Sequence, residues 1–298
     1  MAKKNTALLG DHIDPFLADV ERRRDLRPNT IRSYQSDLTL AARILTMPLA
    51  TIADADLDAV LQPLHPATRR RRASALNQFF LWAVREQVCP TNPLTGYAVP
   101  RVERRLPRPI RARSDRKALD AAIKAAPQPF QVIFLLLRET GLRVREVLKL
   151  NSEDVALDSG HESLHLHNPK NRADRMQPLG PNFTPKALPK LRAYVRSLGT
   201  LQPYEPVFRS NRGTRISYDA VEYQWRRACE RAGLVDEHGQ ARYTLHQLRH
   251  TRGTEMVEQR YPLHVVQKAL GHVDPRSTQV YADLSDLQLR HELERHRR

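Results

Sequence analysis

The chain has 298 residues, with 49 Lys and Arg against 33 Asp and Glu, a formal charge of +16 and a sequence pI near 10.3. Such a length accommodates about two domains. An apolar fraction of 40% supports globular cores and excludes a wholly disordered chain. The basic excess makes a polyanion the first partner to test, although it also fits a ribosomal or regulatory protein. Apolar runs such as Val132 to Leu137 are too short for a bilayer, and Met1-Ala2-Lys3-Lys4-Asn5 leads into no secretory h-region. Two cysteines, Cys89 and Cys229, make neither a disulfide framework nor a Cys-rich zinc site. A soluble protein of a reducing, cytoplasmic compartment is expected.

The first 97 residues read as an all-helical domain. Leu17 and Val20, then Thr30, Ile31, Tyr34, Leu38, Leu40 and Ile44, recur mostly at spacings of three and four. A second helix is expected over 67–84, where Leu76, Phe79, Phe80, Ala83 and Val84 form one apolar stripe. It begins with Arg69, Arg70, Arg71 and Arg72, which cannot share a face and which oppose the helix macrodipole at that end. Something anionic should offset them. A phosphate backbone is the reading adopted, against a merely solvated face. Residues 98–112, with Pro100, Pro107 and Pro109 among arginines, read as an extended basic linker, either solvated or laid along phosphates.

Residues 113–298 read as mostly helical with one small antiparallel interruption. Leu164 to His167 alternate, Asn168-Pro169-Lys170-Asn171 turn, and a strand resumes near Arg175 to Leu179, weakened by Pro178. Upstream, a buried helix ends at Gly141 and another begins at once, so Arg143 stands at a fresh helix N-terminus suited to an anion. Thr244 and Gln247 form a capping box, placing His246 and Arg249 on one face of the helix that follows. A further helix ends at Gly271, His272 follows in the turn, and a last helix carries Tyr281. Taken singly, each of these is as well explained by structure: a packed arginine, a core histidine, a half-buried tyrosine.

In order and together, these segments resemble the tyrosine recombinase (phage integrase) family. Thr-Gly-Leu-Arg-x-x-Glu falls on Arg143 with Glu146 as its supporting acid. The hairpin lysine falls on Lys170, His-x-x-Arg on His246 and Arg249, and Leu-Gly-His on Leu270, Gly271 and His272. The nucleophilic tyrosine falls on Tyr281, nine residues after His272. One departure is that Pro169 and Asn171 replace the glycines that usually flank the lysine. The resemblance implies a helical, SAM-like core-binding domain ahead of the catalytic domain. With no room for an arm-binding domain, the chain is more like the Xer-type than the lambda-type enzymes. It further implies a nucleoid-associated protein in which four protomers, identical or paired with a second recombinase, act on double-stranded DNA through a Holliday junction. The tail from Ser285 to Arg298 would reach a neighbouring protomer or simply fray.

The chemistry also follows from the residue types. Three cations and two imidazoles around a phenol suit phosphoryl transfer, where positioning and charge stabilisation dominate. Arg143 and Arg249 would clamp the non-bridging oxygens of a phosphodiester. As the family works, Tyr281 would attack phosphorus to give a 3′-phosphotyrosyl enzyme, which conserves the bond energy so that rejoining needs no ATP. His246 is the candidate base, His272 a donor to the phosphate, and Lys170 the acid for the departing 5′-oxygen. The close acidic residues Asp54, Asp56 and Asp58 read as a solvated turn, so cofactor-free and metal-free catalysis is expected. A DNA-binding regulator without catalysis and a type IB topoisomerase are the competing readings.

Overall fold

The computed structural model describes residues 6–24, 28–99, 106–167 and 174–281. The chain divides into two units, Met1–Arg104 and Arg105–Arg298. Both are mainly helical. Among the described residues, no helix is long and apolar enough to cross a membrane.

The first unit contains α1 (Ile13–Arg24), α2 (Pro28–Ala42), α3 (Asp54–Leu61) and α4 (Pro66–Arg85). Pro28 and Pro66 open α2 and α4, where the missing N–H costs no helical bond. The α4 stripe is buried as its period requires: Leu76, Phe79, Phe80 and Ala83 are fully enclosed, and the Phe16 ring meets Phe79 edge-on at 5.5 Å. Each buried phenylalanine contributes about 1.5–3 kcal/mol. The α2 periodicity ends sooner than expected. Leu38 is buried, but Leu40 and Ile44 are exposed, because the helix stops at Ala42 and Ala41 and Leu45 fill the inner face instead.

The arginine run finds its anions within this unit. Arg69 donates to the carbonyls of Leu61, Gln62 and Leu64 and so caps the end of α3. Arg71 and Arg72 both reach Asp37, which is fully buried on α2. Only Arg70 is exposed without a partner among the described residues. A phosphate is thus not needed to offset Arg69, Arg71 or Arg72. Asp56 and Asp58 are local partners as well, the former accepting from the Ala53 N–H at the start of α3 and the latter from the Tyr97 hydroxyl.

The second unit contains α5 (Arg113–Lys124), α6 (Phe130–Thr140), α7 (Val144–Lys149), a 3₁₀ turn (Ser152–Asp154), β1 (Val155–Ala156), β2 (Ser163–Leu166) and β3 (Arg175–Pro178). After the sheet come α8 (Ala187–Ser197), α9 (Tyr218–Arg231), α10 (Leu245–Glu258) and α11 (Leu263–Leu270), and residues 276–281 are again helical. Helix α6 is apolar nearly all round and forms the centre, with α5, α7, α8 and α10 against it. The strands form one antiparallel sheet in the order β1-β2-β3, pairing Leu164 with Gln177 and Leu166 with Arg175. Pro178 is tolerated because it ends β3, opposite Ser163. Of the expected linker, residues 106–112 have no regular secondary structure but are not free. Ile110 is buried in the second unit's core, and its N–H donates to Thr251 Oγ1 at 2.9 Å. The hairpin turn with Lys170, residues 100–105 and the tail from Ser285 lie outside the described residues.

Candidate active site

Helix α6 ends at Gly141, whose φ of +71° closes the helix in the left-handed region. The chain then turns into α7 with Arg143 at the N-cap. The Glu146 carboxylate accepts from the Arg143 backbone N–H at 2.8 Å and from its guanidinium at 3.0 Å, which fixes the direction of an otherwise exposed side chain. On α10, Gln247 accepts from the Thr244 N–H at 2.8 Å, the expected cap. One turn later Arg249 points inward and is 3% exposed. It donates to the carbonyls of Gly141 at 2.7 Å and Leu270 at 2.6 Å.

These contacts belong to a larger arrangement at the end of α11. Arg175, from β3, donates to the carbonyls of Lys268 and Ala269, Arg249 to Leu270, and Arg143 to Gly271. Three arginines from three separate elements thus satisfy four consecutive carbonyls at the negative end of one helix. Gly271, at φ +63°, lets the chain turn there, and a Cβ would stand 2.5 Å from Arg175 Nε. His272 leaves this turn with Nδ1 2.8 Å from the hydroxyl of buried Thr278.

Tyr281 is 2% exposed and packs with Met256, Val266, Leu270 and Val280. Its ring lies against Gly253 of α10, where a Cβ would approach Cζ to 2.7 Å. The phenol oxygen is 3.1 Å from His250 Nδ1, and the His250 ring meets His246 nearly perpendicularly at 4.6 Å. The His272 ring is nearly parallel to the phenol ring, 6.2 Å away.

Burial and positive charge set the protonation states. Desolvation, aided by the nearby cation Arg249, drives His250 down to about 4 and His272 down to about 3. His246 is also lowered, first by desolvation and then by Arg249 and Arg143. The imidazoles of His250 and His272 are therefore neutral near pH 7, able to accept or donate one hydrogen bond per nitrogen. Arg249 is lowered to about 10 by its own burial and by Arg143, and still carries its charge at that pH. Burial raises Tyr281 against the opposing pull of Arg249 and Arg143.

The structure therefore brings together Arg143, Glu146, His246, Arg249, His272 and Tyr281. The arginine run belongs to the other unit. Two residues escaped sequence reasoning. His250 had a signal, four residues after His246 on the same helix, whereas Arg175 had none, because only the folded sheet carries it to α11.

Residues 13–87 match the N-terminal SAM-like domain of phage integrases, and residues 112–288 match the phage integrase family. The chain is 30% identical over 285 residues to tyrosine recombinase XerC of Alcanivorax borkumensis, covering 91% of this chain and 89% of that protein. Its fold is similar to that of a lambda integrase dimer bound to a COC′ core site, with a TM-score of 0.74 and 20% identity over 94% of this chain and 78% of that one. It is likewise similar to XerH bound to a palindromic difH substrate, with a TM-score of 0.72 and 19% identity over 93% and 83% of the two chains. The chain belongs to the phage integrase family of tyrosine recombinases, enzymes that break and rejoin DNA.

Proposed function

We propose that this recombinase cuts each strand of a specific double-stranded site through Tyr281, with Arg143 and Arg249 holding the scissile phosphate. The observation that carries the reading is the phenol of Tyr281 lying 3.1 Å from a neutral imidazole, His250, beside two guanidiniums. Each guanidinium has five N–H donors. Two of the five on Arg249 are engaged by the described carbonyls, so others remain for the non-bridging oxygens. His250 takes the proton of the attacking phenol in place of His246, which abuts it edge to face. His272 accepts from Thr278 at Nδ1, leaving Nε2–H to donate to the phosphate. Lys170 protonates the departing 5′-oxygen, and the product is a 3′-phosphotyrosyl enzyme with a free 5′-hydroxyl. Relatives support the assembly. The solved structures include a lambda integrase tetramer bound to a Holliday junction, and strand exchange here would follow the same course, with four protomers of this chain or two chains in pairs.

Covalent capture tests this without a defined target sequence. The protein is incubated with sheared genomic DNA of its source, stopped in detergent, and the covalent complexes are captured and sequenced at their ends. Protein bound to 3′ ends at a common sequence, absent with Tyr281→Phe, is the expected result. Adducts that persist in Tyr281→Phe, or no adducts under any condition, would overturn the assignment.

A further inference from the structure

We infer that Asp154, His165 and His167 form a binding site for one divalent transition metal of the zinc type, with Asp174 orienting the histidines from the outer shell and no residue shared with the cluster around Tyr281. The alternation of β2 sends Leu164 and Leu166 into the core and sets His165 and His167 on the opposite face, their ring centroids 4.4 Å apart. Continuing the β2–β3 register by one pair brings Asp174 opposite His167, with Oδ2 3.0 Å from Nδ1. The same oxygen is 3.4 Å from His165 Nε2.

Asp154 closes the group from the 3₁₀ turn before β1. Its carboxylate is buried, one oxygen accepting from the Asn151 N–H at 2.8 Å. That bond turns the other oxygen toward the histidines, 2.7 Å from His167 Nε2 and 3.8 Å from His165 Nδ1. Outer-shell hydrogen bonds orient metal ligands in this way. One donor atom from each of Asp154, His165 and His167 lies within 4.8 Å of the other two. Bonds of about 2.0–2.2 Å to a tetrahedral ion require a modest further approach. Two imidazoles favour zinc, cobalt or nickel over the oxygen-seeking magnesium and calcium, and the Asp154 carboxylate, with Asp174 behind the histidines, offsets the 2+ charge. Both imidazoles and Asp174 are partly open to solvent, which gives the ion an entry path.

Without metal, hydrogen bonds from His167 to Asp154 and then to Asp174 hold its pKa above the ordinary histidine value. A proton-bridged ion cluster is therefore the competing state. With metal, the 3₁₀ turn, the end of β2 and the start of β3 are fastened together, and with them the two residues that bracket the segment containing Lys170.

The full chain, stripped with chelator and dialysed, is titrated with Co²⁺ by visible absorption and with Zn²⁺ by calorimetry, and melted with Zn²⁺ or Mg²⁺. Expected are a saturable Co²⁺ spectrum, Zn²⁺ binding, and a melting temperature raised by Zn²⁺ and not by Mg²⁺. Combined His165→Asn and His167→Asn should weaken binding by more than the roughly tenfold that loss of one outer-shell partner costs, while His238→Asn leaves it intact. His165→Asn alone, at a partly exposed position, repeats the test where the double variant fails to fold. Saturable binding that survives these ligand variants, or no saturable binding, would overturn the site and leave the proton-bridged cluster.

Discussion

Arg249 Nη2 donates to the carbonyl of Leu270 at 2.6 Å, so a cation proposed to hold the phosphate also builds the turn from which His272 emerges. The neighbouring cation Arg143 reaches Gly271 at 3.3 Å but is exposed, with Glu146 to direct it. The two arginines therefore divide differently between folding and chemistry. Arg249→Ala removes charged hydrogen bonds to two carbonyls and should cost about 3 kcal/mol of stability as well as cleavage. Arg143→Ala should abolish cleavage with stability changed by about 0.5 kcal/mol or less. Urea unfolding alongside adduct formation measures both. Equal destabilisation by the two variants would refute the division.

The depressed histidines make stability fall on acidification. His250 at about 4 and His272 at about 3 bind protons more weakly folded than unfolded. Between the unfolded value of about 6.5 and these folded values, the unfolded state holds more protons, so stability rises with pH. Their contribution is complete above about pH 6.5 and is lost as pH drops toward 4 and then 3. Urea midpoints at pH 7.5 and 5 should therefore decrease, and His272→Asn should shrink the decrease. Because both rings are already neutral, adduct formation should show no inflection near 6.5. A cleavage profile that breaks there would place a normal histidine in the mechanism.

The arginine run gives a prediction in which binding and folding separate by residue. Asp37 is buried against Arg71 and Arg72, and Asp37→Asn leaves Arg72 enclosed without its carboxylate, a loss of roughly 3 kcal/mol. Arg72→Ala should destabilise less, since Asp37 keeps its contact with Arg71. Arg70→Ala should leave the melting temperature unchanged. If Arg70 meets a phosphate, the same change should reduce the slope of log affinity against log salt by about one. Anisotropy of a labelled duplex over a salt series decides it, and a slope equal to wild type would remove Arg70 from the DNA contact.

These contrasts also explain what the sequence disclosed. Local signals were sufficient where a single element carries the information. The Leu76–Phe80 stripe, the stop at Gly141 and the Thr244–Gln247 cap each state a helix and its inner face, and they place Arg143 at a helix N-cap and Arg249 on the helix after Thr244. Charge was harder to interpret, because Arg72 finds its partner 35 residues away on another helix. Nothing in the run itself distinguishes an internal carboxylate from a phosphate. Arg175 and Asp154 were invisible for the same reason: strand pairing and a 3₁₀ turn, neither readable from spacing, bring them to their partners. His250 was within reach, one turn beyond His246, but assigning it needed the position of the Tyr281 hydroxyl.

That position depends on a missing side chain. Gly253 faces the Tyr281 ring from α10, and a Cβ there would lie 2.7 Å from Cζ, 2.8 Å from Cε1 and 3.0 Å from Leu270 Cδ1. Gly253→Ala is favourable for the helix by roughly 0.5–1 kcal/mol, since alanine is the better helix former. The contact opposes it, because Tyr281 is enclosed and cannot yield without moving its ring, and overpacking of this kind costs about 1–3 kcal/mol. The ring must leave its place beside His250 or α10 must shift. Gly253→Ala should therefore lower the rate of adduct formation while DNA affinity stays at the wild-type value, since neither arginine proposed to hold the phosphate is touched. Tyrosine fluorescence or nitration should report Tyr281 as more exposed than in the parent protein. An alanine variant that cleaves at the parent rate, with Tyr281 equally protected, would mean that the phenol does not need this seat.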